Sequence, residues 1–214
     1  MLIDYRFVTG GLPDLPACMY QYLVGCNGTF VRAKRPGLSA IVPAGDQGLR
    51  GLGIVTPTVK LHVPPVPEDL VAGMLARARQ VSPREILFYL LPPADGHNWR
   101  LATPAQKISR GAVSPLDPFN EWGQATLIEV HSHHNMRAFF SGTDNQDESS
   151  GFRLYGVLGE INTFPVLRLR VGIYGHFWPV PASMVFDMPL GLQDAFRQDQ
   201  MEDNNVLRYD FADA

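Results

Sequence analysis

A chain of 214 residues with 45% apolar side chains can bury a sizeable core, either as one large domain or as one domain with a small partner. Its 18 basic and 21 acidic residues leave a net charge of −3 with no dense Lys/Arg run, which argues against nucleic acid as a principal partner. No stretch approaches the roughly 18–20 apolar residues of a membrane-spanning helix, the N-terminus has no secretory pattern, and Cys18 and Cys26 sit in no metal-ligand spacing, so a cytoplasmic protein with free thiols and no membrane partner is expected.

In chain order, short apolar runs at residues 19–24, 28–33 and 38–42 alternate with turn signals at Cys26-Asn27-Gly28 and Arg35-Pro36-Gly37. They read as small antiparallel strands, followed by two further β-rich stretches at residues 52–55 and 59–63. Pro64-Pro65-Val66-Pro67 then opposes both helix and central strand and marks a boundary. Residues 1–66 are expected to form a small β-rich module without chemistry of its own, residues 67–190 the main domain, and residues 191–214 a polar tail with weak helical periodicity.

Pro67-Glu68-Asp69 starts a helix with Leu70, Val71, Met74, Leu75 and Ala78 along one side, and Ser82-Pro83 ends it. Glu85 opens an apolar strand that runs to Leu91, and Pro92-Pro93-Ala94-Asp95-Gly96 makes the turn into Trp99-Arg100-Leu101-Ala102. Residues 104–123 form a long polar connection, read as an irregular surface loop or as the border of a substrate groove.

The run Ala125-Thr126-Leu127-Ile128-Glu129-Val130 is β-branched and alternating, so His131 and His133 fall at a strand end and project from one face. Two imidazoles placed this way can share a cation. Asp144, eleven residues past His133, allows the chain to turn and bring a carboxylate to the same point. Two nitrogens and one oxygen leave a fourth tetrahedral position for water, the arrangement of a catalytic zinc. A carboxylate outside the ligand set must move protons, and Glu85 is the candidate. Ser141 offers a hydroxyl to an oxyanion, and it is also placed to cap a helix begun by Asp144, Asp147 and Glu148. Glu129 shares the face of His131 and His133 and remains an alternative as a base or as a support for the ligands. His134 falls on the other face, His176 reads as a turn histidine, and Asp147 and Glu148 lack EF-hand spacing and read as solvated charges. The later alternation of apolar and basic residues at 165–174 reads as a half-exposed strand of an antiparallel pair.

His131-Ser132-His133, seven residues, Ser141, two residues and Asp144, with Glu85 upstream, resemble the JAB/MPN signature, also called JAMM, at every spacing over roughly residues 67–187. The resemblance implies an α+β fold, a cytidine-deaminase-like mixed β-sheet flanked by helices, with zinc held by His131, His133 and Asp144. It further implies that Glu85 is the acid/base and Ser141 the oxyanion stabiliser of a metallopeptidase or isopeptidase. The sequence departs from the pattern at His134, where many members carry proline, and in the strand after Glu85, which lacks glycines often seen there. Phe30-Val31-Arg32-Ala33, Trp99, Pro104-Ala105-Gln106 and Phe140-Ser141-Gly142-Thr143-Asp144 also resemble one bacterial subgroup, protein A of PRTRC systems. That implies a locus encoding ubiquitin-like and activating-enzyme-like proteins, and hence a ubiquitin-like protein or peptide as substrate, cut after its terminal glycine. A non-catalytic scaffold is the alternative, although such relatives usually lack a ligand and this chain retains all three.

Overall fold

The structure, a computed structural model, describes residues 2–93, 98–118 and 120–196. The turn expected through Ala94, Asp95 and Gly96 and the tail beyond residue 196 lie outside the described residues. The elements run β1 (Ile3–Phe7), β2 (Tyr20–Gly25), β3 (Gly28–Arg35), β4 (Leu38–Gly45), β5 (Thr58–Leu61), α1 (Glu68–Val81), β6 (Leu87–Leu91), β7 (Arg100–Ala102), β8 (Gln106–Ile108) and β9 (Val113–Pro115). They continue with α2 (Glu121–Ala125), β10 (Ile128–Ser132), α3 (Gly142–Asp147), β11 (Phe152–Gly159), β12 (Val166–Ile173), β13 (His176–Val180) and β14 (Gln193–Asp194). This is the expected α+β class.

The first five strands form one sheet in sequence order. Arg35-Pro36-Gly37-Leu38 turns β3 into β4 with proline fixing the first corner and Gly37 at φ 84, a left-handed position that glycine takes without steric cost. One expectation needs correction here. Residues 52–55 form no strand: Gly53 bonds Val8 and Cys26 as an isolated crossing, and only Val55 is buried, in a small cluster with Val8, Leu23 and Phe30. The strands expected between residues 19 and 42 are β2, β3 and β4, antiparallel as read, and β1 adds to them as a parallel neighbour of β2 that the sequence reading did not include.

The second sheet has the order β13-β12-β11-β10-β6-β7, with β14 paired to β12. β10 and β11 run parallel while β6, β12 and β13 join antiparallel. Side chains alternate across it. Phe88, Leu90, Ile128, Val130, Leu154 and Leu158 enter the main core, together with Leu167, Leu169, Val171 and Ile173 of β12. The same core takes Val71, Met74, Leu75 and Ala78 from α1, at helical spacing, and Val31, Ala33, Leu38, Ala40 and Val42 from the first sheet. Each fully buried Val, Leu, Ile, Phe or Met side chain among these stabilises by about 1.5–3 kcal/mol. The Pro64-to-Pro67 segment is pinned to this core: Val66 is buried and bonded to Val185 and Asp187, and the Trp99 indole donates to the Pro64 carbonyl at 2.9 Å. Arg35 donates to the Phe152 carbonyl at 2.8 Å and the Tyr22 hydroxyl meets His176 Nε2 at 3.0 Å, which adds polar ties between the sheets.

One face of the second sheet is therefore closed by α1 and the first sheet. The other face carries Tyr89, Glu129, His131, Tyr155, Arg168 and Arg170. β12 is not half-exposed as its alternation suggests, because Arg168 donates to the Ala138 carbonyl and Arg170 is buried beneath α3. The long connection at 104–123 holds the β8–β9 hairpin and the start of α2 rather than an irregular loop, and Ala125 belongs to α2, so the strand begins only at Ile128. Cys18 and Cys26 are both free, and no described helix is long and apolar enough to cross a membrane.

Candidate metal centre

β10 places His131 between Val157 of β11 and Leu87 of β6, and its ladder ends one residue later. His133 continues the line by donating its amide to the Leu158 carbonyl at 2.7 Å, so both imidazoles leave the same face. The chain then turns sharply: His134 takes φ 34, and Met136 and Ile161 donate to the His133 and His134 carbonyls. Gly159 makes this turn possible, since a Cβ there would stand 2.2 Å from the Ala138 amide nitrogen. The returning chain delivers Asp144.

His131 Nε2 lies 3.1 Å from His133 Nε2 and 3.5 Å from Asp144 Oδ1, and one ligand atom from each of the three residues lies within 4.8 Å of the others. A tetrahedral ion with bonds of about 2.0–2.1 Å separates its ligand atoms by roughly 3.3–3.5 Å, so this spacing fits one shared cation. His133 Nδ1 meets the Arg137 carbonyl at 3.1 Å, which places the proton on Nδ1 and leaves the Nε2 lone pair for a metal. Burial lowers the His131 pKa to about 4 against the opposing pull of Asp144, and burial also lowers that of His133. Burial thus biases both rings towards the neutral form that binds a metal.

Glu85 lies just before β6, two residues short of the strand expected to begin with it. Its amide donates to the Ser109 carbonyl at 2.8 Å, while Ile86 and Ser132 exchange bonds through the Ser132 hydroxyl and amide. These ties hold Glu85 beside the end of β10. The residue is 3% exposed, and burial, with a smaller contribution from the negative charge of Asp144, raises its pKa to about 7. A carboxyl tuned this way takes and returns protons near neutral pH.

Ser141 caps α3 through a complete capping box with Asp144. The box leaves Asp144 Oδ1 for His131. Since the Ser141 hydroxyl accepts from the Asp144 amide, its own proton stays available to another acceptor.

The remaining candidates are engaged elsewhere. Glu129 is bonded to Arg153 at 3.1 Å, and His134 Nε2 meets the Arg110 carbonyl at 3.0 Å. His176 begins β13 rather than sitting in a turn. Glu148 corrects the solvated reading: a single 3-10 turn after α3 folds it back onto β12, where Arg170 binds it through two nitrogens at 2.9 and 2.5 Å. Sequence reasoning did not find this pair, nor the Arg137 carbonyl that orients His133, nor Phe139, whose ring meets His133 edge-on at 4.8 Å between centroids. The basic residues alternating along β12 were the one available signal for Arg170.

A mixed sheet carrying a His-His-Asp group able to bind a metal ion at one strand end, with a buried carboxyl beside it, is an architecture consistent with a JAMM-type metallohydrolase. Residues 67–179 match the family described as prokaryotic homologs of the JAB domain, and the chain belongs to that family. No curated protein matches the chain at a significant level.

Proposed function

We propose that this chain is a zinc-dependent metallopeptidase or isopeptidase. The observation that carries the reading is the convergence of His131, His133 and Asp144 on one point beside a buried Glu85 whose pKa is raised to about 7. His131, His133 and Asp144 hold the ion, and the borderline-soft donor set of two imidazoles and a carboxylate suits zinc. Zinc bound there supplies a Lewis acid for the scissile carbonyl and acidifies a water. Glu85 removes a proton from the attacking water and returns one to the leaving nitrogen as the carbon–nitrogen bond breaks. The Ser141 hydroxyl donates to the carbonyl oxygen as it gains charge. In this reading residues 67–190 are the catalytic domain, which β14 (Gln193–Asp194) extends by pairing with β12, and residues 1–66 are an accessory β module.

The resemblance to the PRTRC subgroup extends the proposal to a ubiquitin-like substrate in the bacterial cytoplasm. An extended tail that adds as a strand to a free sheet edge is recognised through its main chain, and the β8–β9 hairpin, anchored to Glu85 through Ser109, offers such an edge. Glycine before the scissile bond lets the backbone approach the ion closely. The test is incubation of the zinc-loaded protein with a panel of tailed ubiquitin-like fusions, with cleavage sites read by mass spectrometry. Cleavage after the terminal glycine, abolished in E85Q while zinc is retained, is the expected result. Equal cleavage of unrelated unfolded peptides sinks the ubiquitin-like substrate and leaves the peptidase. Tight partner binding with no cleavage points to a scaffold.

A further inference from the structure

We infer that Arg170 is a positioning residue that fixes Asp144 at the metal centre, an inference that rests on the metal-site reading above. His131 belongs to β10, and His133 is bonded to Leu158 and Arg137, so the sheet itself holds both imidazoles. Asp144 has no such support. It rides on α3, six residues reading Gly-Thr-Asp-Asn-Gln-Asp, none of which is buried. No side chain of its own anchors this helix in the core, and the Tyr155 hydroxyl of β11 ties only its C-terminal end, donating to the Glu148 carbonyl at 3.0 Å. The capping box fixes the Asp144 carboxylate relative to α3, but it cannot fix α3 relative to β10.

Arg170 supplies that second constraint. Its side chain rises from β12 into the space under α3, where Nη1 donates to Asn145 Oδ1 at 2.6 Å and Nε and Nη2 both donate to Glu148 Oε2. Asn145 follows Asp144 directly, and Glu148 ends the helix. On the other side of the cap, Phe140 precedes Ser141, and its ring centroid lies 3.8 Å from the guanidinium carbon, as does that of Phe177 of β13. One planar cation thus grips the segment on both sides of Asp144, and the two rings fix the plane of the fork. The Arg170–Glu148 half of the grip is buried, so water does not compete for it there, while Asn145 sits at the exposed rim. Lysine cannot reproduce it: one ammonium lacks the fork that reaches Asn145 and Glu148 together.

The expected effect is a selective loss of metal affinity. Zinc Kd is measured by chelator competition on the full chain for wild type, R170K, R170M and N145A, with thermal melts alongside and amide hydrogen exchange on each metal-free protein. R170K and R170M should weaken zinc by about 10–100-fold, the range for partners that orient metal ligands. N145A removes an exposed side chain and one bond, so it should fold normally and weaken zinc by about threefold, on the order of one lost hydrogen bond. The amides of Asp144 and Asn145 should exchange faster in all three variants, while those of β10 stay as protected as in wild type. Uniformly faster exchange, β10 included, would mean general destabilisation and overturn the inference, as would wild-type Kd in both R170K and N145A. If the wild-type chain binds no zinc, the metal-site reading fails by itself. Exchange at Asp144 and Asn145 then still decides whether Arg170 docks α3.

Discussion

Ser141 and Asp144 hold each other: the Ser141 hydroxyl accepts from the Asp144 amide at 3.2 Å, and the Ser141 amide donates to Asp144 Oδ2 at 2.6 Å. The residue proposed to stabilise an oxyanion is therefore also the one that orients a candidate metal ligand. Substituting Ser141→Ala removes the cap and should cost about 0.5–2 kcal/mol of stability in a denaturant melt. It should also lower kcat by roughly 10²-fold if the hydroxyl contacts the developing charge. Asp at position 141 can still cap but cannot donate near neutral pH. S141D should therefore recover stability and leave kcat low, and recovery of both would remove the oxyanion role.

Glu85 carries a stability cost that depends on pH. Its folded pKa of about 7 lies above the ordinary carboxyl value, so the folded state binds the proton more tightly than the unfolded chain. Its contribution is favourable at low pH and is lost as pH rises from the unfolded value through 7. In the metal-free protein E85Q should be more stable than wild type by about 1–3 kcal/mol at pH 8.5, with the difference vanishing near pH 4, as the size of the shift implies. Paired chemical melts at the two pH values check this. An E85Q that is less stable than wild type at pH 8.5 would show that the carboxylate is well solvated.

The candidate ligand group could be read from the sequence because it rests on local periodicity: alternation along one strand puts His131 and His133 on one face, and Ser141 with Asp144 at three-residue spacing is a capping signature. Helix α1 was legible for the same reason, through Val71, Met74, Leu75 and Ala78. What failed depends on contacts distant in sequence. Arg168 and Arg170 look solvent-facing until α3 and Ala138 cover them. Glu148 looks solvated until Arg170 is brought from 22 residues away to meet it. Residues 52–55 have strand composition, but they cross between Val8 and Cys26 and find no ladder.

Gly159 should tolerate no side chain. The Cβ of alanine would lie 2.2 Å from the Ala138 amide nitrogen and 2.6 Å from the Arg137 carbonyl carbon, backbone atoms that cannot rotate away. G159A must push out the turn whose Arg137 carbonyl orients His133. The expected outcome is a loss of about 1–3 kcal/mol, typical of overpacking, together with weaker zinc binding. Thermal melts and chelator competition measure the two. A stable G159A with wild-type zinc affinity would show that the turn relaxes without disturbing His133.

Metal binding should hold to lower pH than an exposed histidine pair allows. Protons compete with metal for Nε2, and a ring competes only below its own pKa. Burial has lowered His131 to about 4, so that ring stays neutral through the range where free histidine titrates, and burial shifts His133 in the same direction. The same shift acts on folding with a definite sign: because the folded rings bind fewer protons than the unfolded ones, stability is lost as pH falls below about 6.5, the unfolded value, towards 4. Cobalt substituted for zinc gives a visible spectrum that reports occupancy directly. Titrated at fixed free metal, occupancy should stay level from pH 8 to 6 and fall only near pH 5 or below, with loss of the spectrum preceding loss of far-UV circular dichroism. A midpoint near 6.5 would mean that the rings are solvated like ordinary surface histidines and that burial does not prepare them for the ion.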